Sequence, residues 1–148
     1  MNQVTSTLLK AEKTVVVDYP ATEVKAAINK VFTIMKSKYA PMKNGVNDIM
    51  GTYQFSMQNN LNPAIGDMAL ESISDNKTKI SINVTASYGS VSSNSILASL
   101  LNDYLSILTK VLIGESIEQE AADAESSGCI WGIITAIIGF ITLLLIFI

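Results

Sequence analysis

The chain has 148 residues with ten lysines, no arginine, no histidine and one cysteine, and its formal net charge is −3. Without arginine the chain lacks the forked donor that commonly grips phosphate and guanine, so we expect no nucleic-acid partner. A single cysteine excludes an internal disulfide, and the lack of histidine removes the common zinc, haem and Cys–His catalytic sites. No phosphate-binding or nucleophile motif is present. We therefore predict a protein that is not an enzyme and has no cofactor and no metal.

Charge and hydropathy divide the chain into three parts. Residues 1–113 carry ten lysines against eight acidic residues and contain the alternating and helical patterns of a folded domain. Residues 114–128 carry five acidic residues and no cation, which predicts an acidic stalk. Residues 129–148 are apolar except for two threonines.

The first elements predicted in the domain are a strand and a helix. The β-branched run "TVVVDYP" (14–20) ends in a proline and is typical of a strand. Residues 21–41 then place Val24, Ile28, Val31 and Met35 on one helical face, which predicts an amphipathic helix stopped by Pro41. The lysines of this helix form a solvated face or, as the functional alternative, a contact with anionic lipid.

Three segments with alternating hydropathy follow the helix. Residues 50–57 alternate between apolar and polar side chains, and residues 68–74 and 78–88 flank the turn sequence "DNK". Because one set of side chains is apolar and the other polar, we expect antiparallel strands with one face on a core and one face in water.

A strongly apolar helix is predicted over residues 96–115, with its apolar side chains spread over an arc wide enough to lie across a sheet. Helix propensity continues over Glu115–Glu125, where a narrow apolar stripe could extend the helix into the stalk. The stripe consists of Ile113, Ile117, Ala121 and Ala124. A disordered linker is the alternative.

The order of elements over residues 12–113 resembles the helix-grip, START-like superfamily. The resemblance depends on "VVVDYPATEVKAAINKVF", the strands that follow it and the long apolar helix. It implies an α+β fold in which an antiparallel sheet is packed by a long C-terminal helix. It also implies an apolar ligand between the sheet and that helix, unless these side chains only fill a core. The implied lining residues are Tyr53, Phe55, Ile82, Val84, Leu100 and Tyr104.

The apolar run from Cys129 to Ile148 predicts a single transmembrane helix, because twenty helical residues reach about 30 Å. Trp131 suits the headgroup level, and Cys129 lies at the expected membrane interface. No signal peptide precedes the domain, so we predict a tail-anchored, single-pass protein with its N-terminal domain in the cytoplasm. A buried core helix and a glycolipid-anchor signal are the alternatives.

Small residues recur within this predicted span. Gly128, Gly132 and Ala136 are spaced by four, and Gly139 follows Gly132 at seven, a pattern that permits close helix–helix association. Our main functional hypothesis is a non-enzymatic module that binds a protein partner, or assembles with itself as a homo-oligomer, at the bilayer surface. The alternative is a lipid-binding or hydrophobic-ligand-binding protein of helix-grip type.

Overall fold

The structure is a computed structural model of the chain, and it describes residues 9–58, 63–87 and 92–123. Five strands and two long helices make up this part of the protein. In chain order they are β1 (Lys10–Val17), α1 (Ala21–Ile34), β2 (Tyr39–Asn47), β3 (Thr52–Met57), β4 (Ala64–Ser74), β5 (Lys77–Ala86) and α2 (Asn94–Leu112).

The strands form one antiparallel sheet in the order β1-β5-β4-β3-β2, and both helices pack on one of its faces. The alternation predicted from the sequence is confirmed on β3 and β5. On β5, Ile80, Ile82 and Val84 are buried towards the helices, whereas Ser81 and Asn83 between them face outward. The predicted α+β arrangement of an antiparallel sheet packed by a long C-terminal helix is therefore confirmed.

The end of the first helix was predicted incorrectly. Helix α1 stops at Ile34 because the chain then turns, with the Met35 carbonyl accepting from the backbone N–H groups of Lys38 (2.9 Å) and Tyr39 (2.7 Å). Pro41 does not end a helix but lies in β2, at an edge of the sheet where a missing N–H is tolerated. The sequence stretch expected to finish the helix thus begins a strand.

Helix α2 is closed at both ends by local hydrogen bonds. The Ser93 hydroxyl accepts from the Ile96 N–H at 3.3 Å, which caps the first turn. At the other end, Gly114 adopts a positive φ of 82° and its N–H donates to the Val111 carbonyl, while the Glu115 N–H donates to the Lys110 carbonyl. This is the Schellman pattern, and glycine favours it because the left-handed conformation strains other residues.

Among the described residues, α2 is the one helix long and apolar enough to cross a membrane by length and composition, with 19 residues and a mean hydropathy of 1.2. Its apolar side is in the core, as expected for the core helix of a folded domain, so this is weak evidence for a span. The transmembrane helix predicted at 129–148, with Gly128, Cys129, Trp131, Gly132, Ala136 and Gly139, lies outside the described residues.

Part of the acidic segment packs onto the domain. Ile117 is fully buried in the core, residues 118–123 form a short helix, and the Glu120 carboxylate pairs with the Lys110 ammonium. This pairing lowers the pKa of Glu120 and raises that of Lys110 through their mutual hydrogen bond. Ile113, expected on the same stripe as Ile117, is instead 56% exposed. Only part of the predicted stripe is therefore buried.

Candidate functional site

The interior beneath β3 is filled by aromatic rings. Phe55 lies at the centre, with its ring centroid 4.8 Å from that of Tyr104 and 5.2 Å from that of Phe32. Tyr104 in turn meets Tyr39 edge to face at 5.1 Å. These are the separations at which aromatic pairs attract, so the rings contribute packing energy in addition to their buried area.

All six side chains expected to line a ligand cavity lie in this core, each at most 2% exposed. Tyr53, Phe55 and Tyr104 contact other rings, while Ile82, Val84 and Leu100 belong to the same buried cluster. The structure thus brings the six together, as expected of residues between the sheet and α2. Their role in lining a ligand site stays a prediction.

Three tyrosine hydroxyls lie in or beside this apolar interior. The Tyr53 hydroxyl donates to Asp48 Oδ1 at 2.9 Å, whereas the buried hydroxyls of Tyr39 and Tyr104 have no hydrogen-bond partner among the described residues. Burial raises the pKa of Tyr104 and of Tyr39 well above the usual tyrosine value, with Asp103 adding to the effect at Tyr39. The pKa of Tyr53 is raised by burial and then by Asp48. All three tyrosine hydroxyls therefore keep their protons at neutral pH.

A cavity of about 280 Å³ lies between β1 and α2, which we call the edge groove. Its walls are apolar side chains, and polar side chains form its rim. The apolar residues are Val15, Val17, Ile80, Leu105, Leu108 and Leu112; the polar ones are Lys13, Asn102, Ser106 and Thr109. Lys13 Nζ donates to Asn102 Oδ1 at 3.1 Å, so the rim is bridged between strand and helix.

The edge groove was not predicted from the sequence, although a signal for it exists. Val15 and Val17 lie on the same face of β1, and Leu105, Leu108 and Leu112 repeat at helical spacing. These two stripes indicate that β1 and α2 face each other. The sequence does not show that the aliphatic side chains leave space between them.

A larger depression of about 680 Å³ lies on the outer face of the sheet. A row of polar residues crosses its floor from β1 to β3. In the strand register Glu12 lies opposite Asn83, Asn83 lies opposite Asp67, and Asp67 lies opposite Gln54. Gln54 Nε2 donates to Asp67 Oδ1 at 2.8 Å. Among the described residues, no cluster of three or more His, Cys, Asp or Glu side chains could hold a metal ion. An apolar ligand requires apolar walls, so the edge groove is the better candidate site.

No known protein-family profile matches the sequence, and no curated protein matches it. Sixty-one chains of solved structures do match. The structure titled Ara h 8.0201 superposes with a TM-score of 0.53 at 10% identity, covering 72% of this chain and 96% of the other. An uncharacterised protein from Bacillus thuringiensis gives 0.51 at 13% identity, covering 70% and 98%. A START superfamily protein from Mycobacterium smegmatis gives 0.47 at 9% identity, covering 77% and 97%.

The fold is the helix-grip fold. The START-like resemblance drawn from the order of elements is confirmed at the level of the fold. At these identities the matches carry no information on ligand or activity.

The prediction that the protein is not an enzyme is corrected by the same comparison. Two matched structures are titled aromatase/cyclase: the di-domain BexL, with a TM-score of 0.46 at 15% identity, and Zhui from Streptomyces sp. R1128, with 0.44 at 10% identity. The two matches are distant and do not establish an enzymatic activity here.

Proposed function

We propose that the helix-grip domain binds an apolar ligand, with an acyl chain in the edge groove and a polar head at its rim. The observation that carries this proposal is the groove of about 280 Å³ that lies between Val15 and Val17 on β1 and Leu105 and Leu108 on α2. Water in such a space gains few hydrogen bonds, so an alkyl chain replaces it favourably.

The size and rim of the groove select the kind of ligand. At about 280 Å³ the groove is slightly below the range of about 300–1,000 Å³ for drug-sized ligands, which favours one slender chain over a ring system. The Lys13 ammonium has three donors and uses one on Asn102. Its remaining donors are placed to meet a carboxylate or phosphate head at the rim.

Filling the groove tests the proposal. Leu105 is half-buried at its wall, so Leu105→Trp places an indole in the space that the chain would take. Full-length protein in mild detergent is titrated with a fluorescent long-chain fatty acid. We expect Leu105→Trp to weaken binding about tenfold or more, a loss of roughly 1.4 kcal/mol.

The matched control is Ile73→Trp, which adds the same indole at an exposed position outside the groove. It should bind the fatty acid as the unmodified chain does. In addition, Lys13→Met should weaken binding of the fatty acid but not of the alcohol of equal length, because only the acid carries a charge. Equal affinity in Leu105→Trp and the unmodified chain would contradict a ligand in the edge groove.

We further propose that residues 129–148 anchor the protein in a membrane by a single helix, with the domain in the cytoplasm. The support is the length and apolarity of the segment. Self-association through Gly132 and Ala136 is part of this proposal. Full-length protein should resist alkaline carbonate extraction, and release into the soluble fraction would contradict the anchor.

A further inference from the structure

The turn between β2 and β3 displays two neighbouring apolar side chains to solvent. Ile49 is 95% exposed and Met50 is 71% exposed. Adjacent large apolar residues at such exposure leave apolar surface in water, which folding normally avoids. Burial of these two side chains against another apolar surface would therefore be favourable.

This turn is held firmly by polar contacts on its inner side. Asp48 Oδ1 accepts from the Tyr53 hydroxyl at 2.9 Å, and the Met50 N–H donates to Asn47 Oδ1 at 3.0 Å. The Lys25 ammonium donates to the Asp48 carbonyl, and the Gly51 carbonyl accepts from the Leu70 N–H at 2.8 Å. The one carboxylate of the turn is thus directed towards the domain, while Ile49 and Met50 are directed away from it.

Strand register places this turn at the same end of the sheet as the end of α2. Thr52, the first residue of β3 after the turn, lies opposite Ala69 of β4. Strand β4 continues past Ala69, and its Ser72 lies opposite Thr78 of β5. Thr78 pairs with Val17, and Val17 and Leu112 line the same edge groove. Two further exposed apolar residues, Ile73 and Ile113, belong to the β4 end and the α2 end at this side. We call these four residues the apolar end: Ile49, Met50, Ile73 and Ile113.

We propose that the apolar end docks on the lipid bilayer, with Ile49 and Met50 inserted among the headgroups. The proposal rests on the membrane anchor proposed above. The predicted span starts six positions after Asp123, a distance of about 20 Å when the chain is extended. The domain is therefore held close to the membrane whatever path that segment takes.

A bilayer fits this surface better than a protein partner. A stable protein interface buries about 800 Å² on each side, which the four exposed side chains of the apolar end do not supply. A domain already tethered to a membrane needs only a small additional free energy of binding to adopt one orientation, because tethering makes the contact intramolecular.

Depth-dependent quenching tests the docking. Met50→Cys carries an environment-sensitive fluorophore in a full-length chain whose native cysteine is replaced by Cys129→Ala. The protein is reconstituted into vesicles of equal parts phosphatidylcholine and phosphatidylserine that contain a headgroup-level quencher lipid. The matched control is Leu9→Cys, since Leu9 is an exposed apolar residue just before β1, at the opposite end of the sheet.

We expect several-fold more quenching at residue 50 than at residue 9, together with a blue-shifted emission at residue 50. Adding Ile49→Ser should reduce the quenching at residue 50 towards the control value. If the protein floats with the vesicles but residues 9 and 50 are quenched equally, the docking is wrong and the anchor stands. If the protein does not float with the vesicles, the anchor is wrong and the docking falls with it, whereas fatty-acid binding in the edge groove is tested separately.

Discussion

The interior beneath β3 and the strip beneath β1 are covered in different ways. Helices α1 and α2 pack on each other and on the central part of the sheet, and there the space is filled by the rings of Phe32, Phe55 and Tyr104. Strand β1 is covered by α2, and its inward side chains are the smaller Val15 and Val17. One region is a packed core and the other keeps a groove.

The contrast follows from side-chain volume on a common backbone. An aromatic ring projects far enough from the sheet to reach the helices, whereas a valine at the sheet edge does not reach as far. The rings therefore stabilise the domain, and the edge strand leaves the space that the proposed ligand would take. Matched substitutions in the two regions distinguish these roles.

The largest difference is expected between Phe55→Ala and Val15→Ala. Phe55 is fully buried among rings, so its truncation leaves a cavity and should lower the free energy of unfolding by about 3–5 kcal/mol. Val15 is half-buried beside an existing groove, so its truncation should cost about 1 kcal/mol. Urea denaturation of the full chain in mild detergent measures both. Similar losses for the two variants would contradict the distinction between core and groove.

A smaller loss is expected from Gly66→Ala on β4. A Cβ at this position would lie 2.7 Å from Cζ of Phe55, and that ring cannot move aside because Phe32 and Tyr104 hold it. Overpacking of this kind costs about 1–3 kcal/mol in unfolding free energy. The control is a double-mutant cycle with Phe55→Leu, which removes the ring. If Gly66→Ala costs the same in both backgrounds, the contact with Phe55 is not the cause.

The sequence predicts the elements that depend on local pattern better than those that depend on distant contacts. The alternation of β5 and the apolar arc of α2 correspond closely to Lys77–Ala86 and Asn94–Leu112 in the structure. Strand β2 was missed because Tyr39 and Pro41 follow an amphipathic helix without a clear break in the pattern. Its strand conformation depends on pairing with β3, a contact that single-sequence patterns do not contain.

The candidate site was harder to predict than the fold. A groove is the space between two elements, and Val15 and Leu105 that line it are about ninety residues apart in the chain. Apolar side chains in the core and at the groove follow the same sequence pattern, so the pattern does not distinguish the two places. The predicted lining residues Phe55 and Tyr104 accordingly belong to the core. Whether such a side chain fills a space or borders one is decided by the distance between packed elements.

The smallest effect at neutral pH is expected from Tyr104→Phe, for which Tyr53→Phe is the matched control. The Tyr104 hydroxyl is buried without a partner among the described residues, so its removal should leave the unfolding free energy unchanged or raise it by about 1 kcal/mol. The Tyr53 hydroxyl donates to Asp48, so its removal should lower that free energy by about 1–3 kcal/mol. Equal losses in both variants would mean that the Tyr104 hydroxyl is bonded in solution.

Alkaline pH should separate Tyr104→Phe from the unmodified chain further. Burial raises the pKa of Tyr104 above the value of about 10 that it has in the unfolded chain. Above pH 10 the unfolded tyrosine therefore loses its proton while the folded one retains it, and stability falls as pH rises, by up to about 1.4 kcal/mol per pH unit for this group. Tyr104→Phe cannot ionise, so denaturation followed from pH 8 to pH 11 should show a shallower decline. Because both chains carry the same lysines, their difference isolates the tyrosine, and identical declines would contradict a buried, neutral hydroxyl at this position.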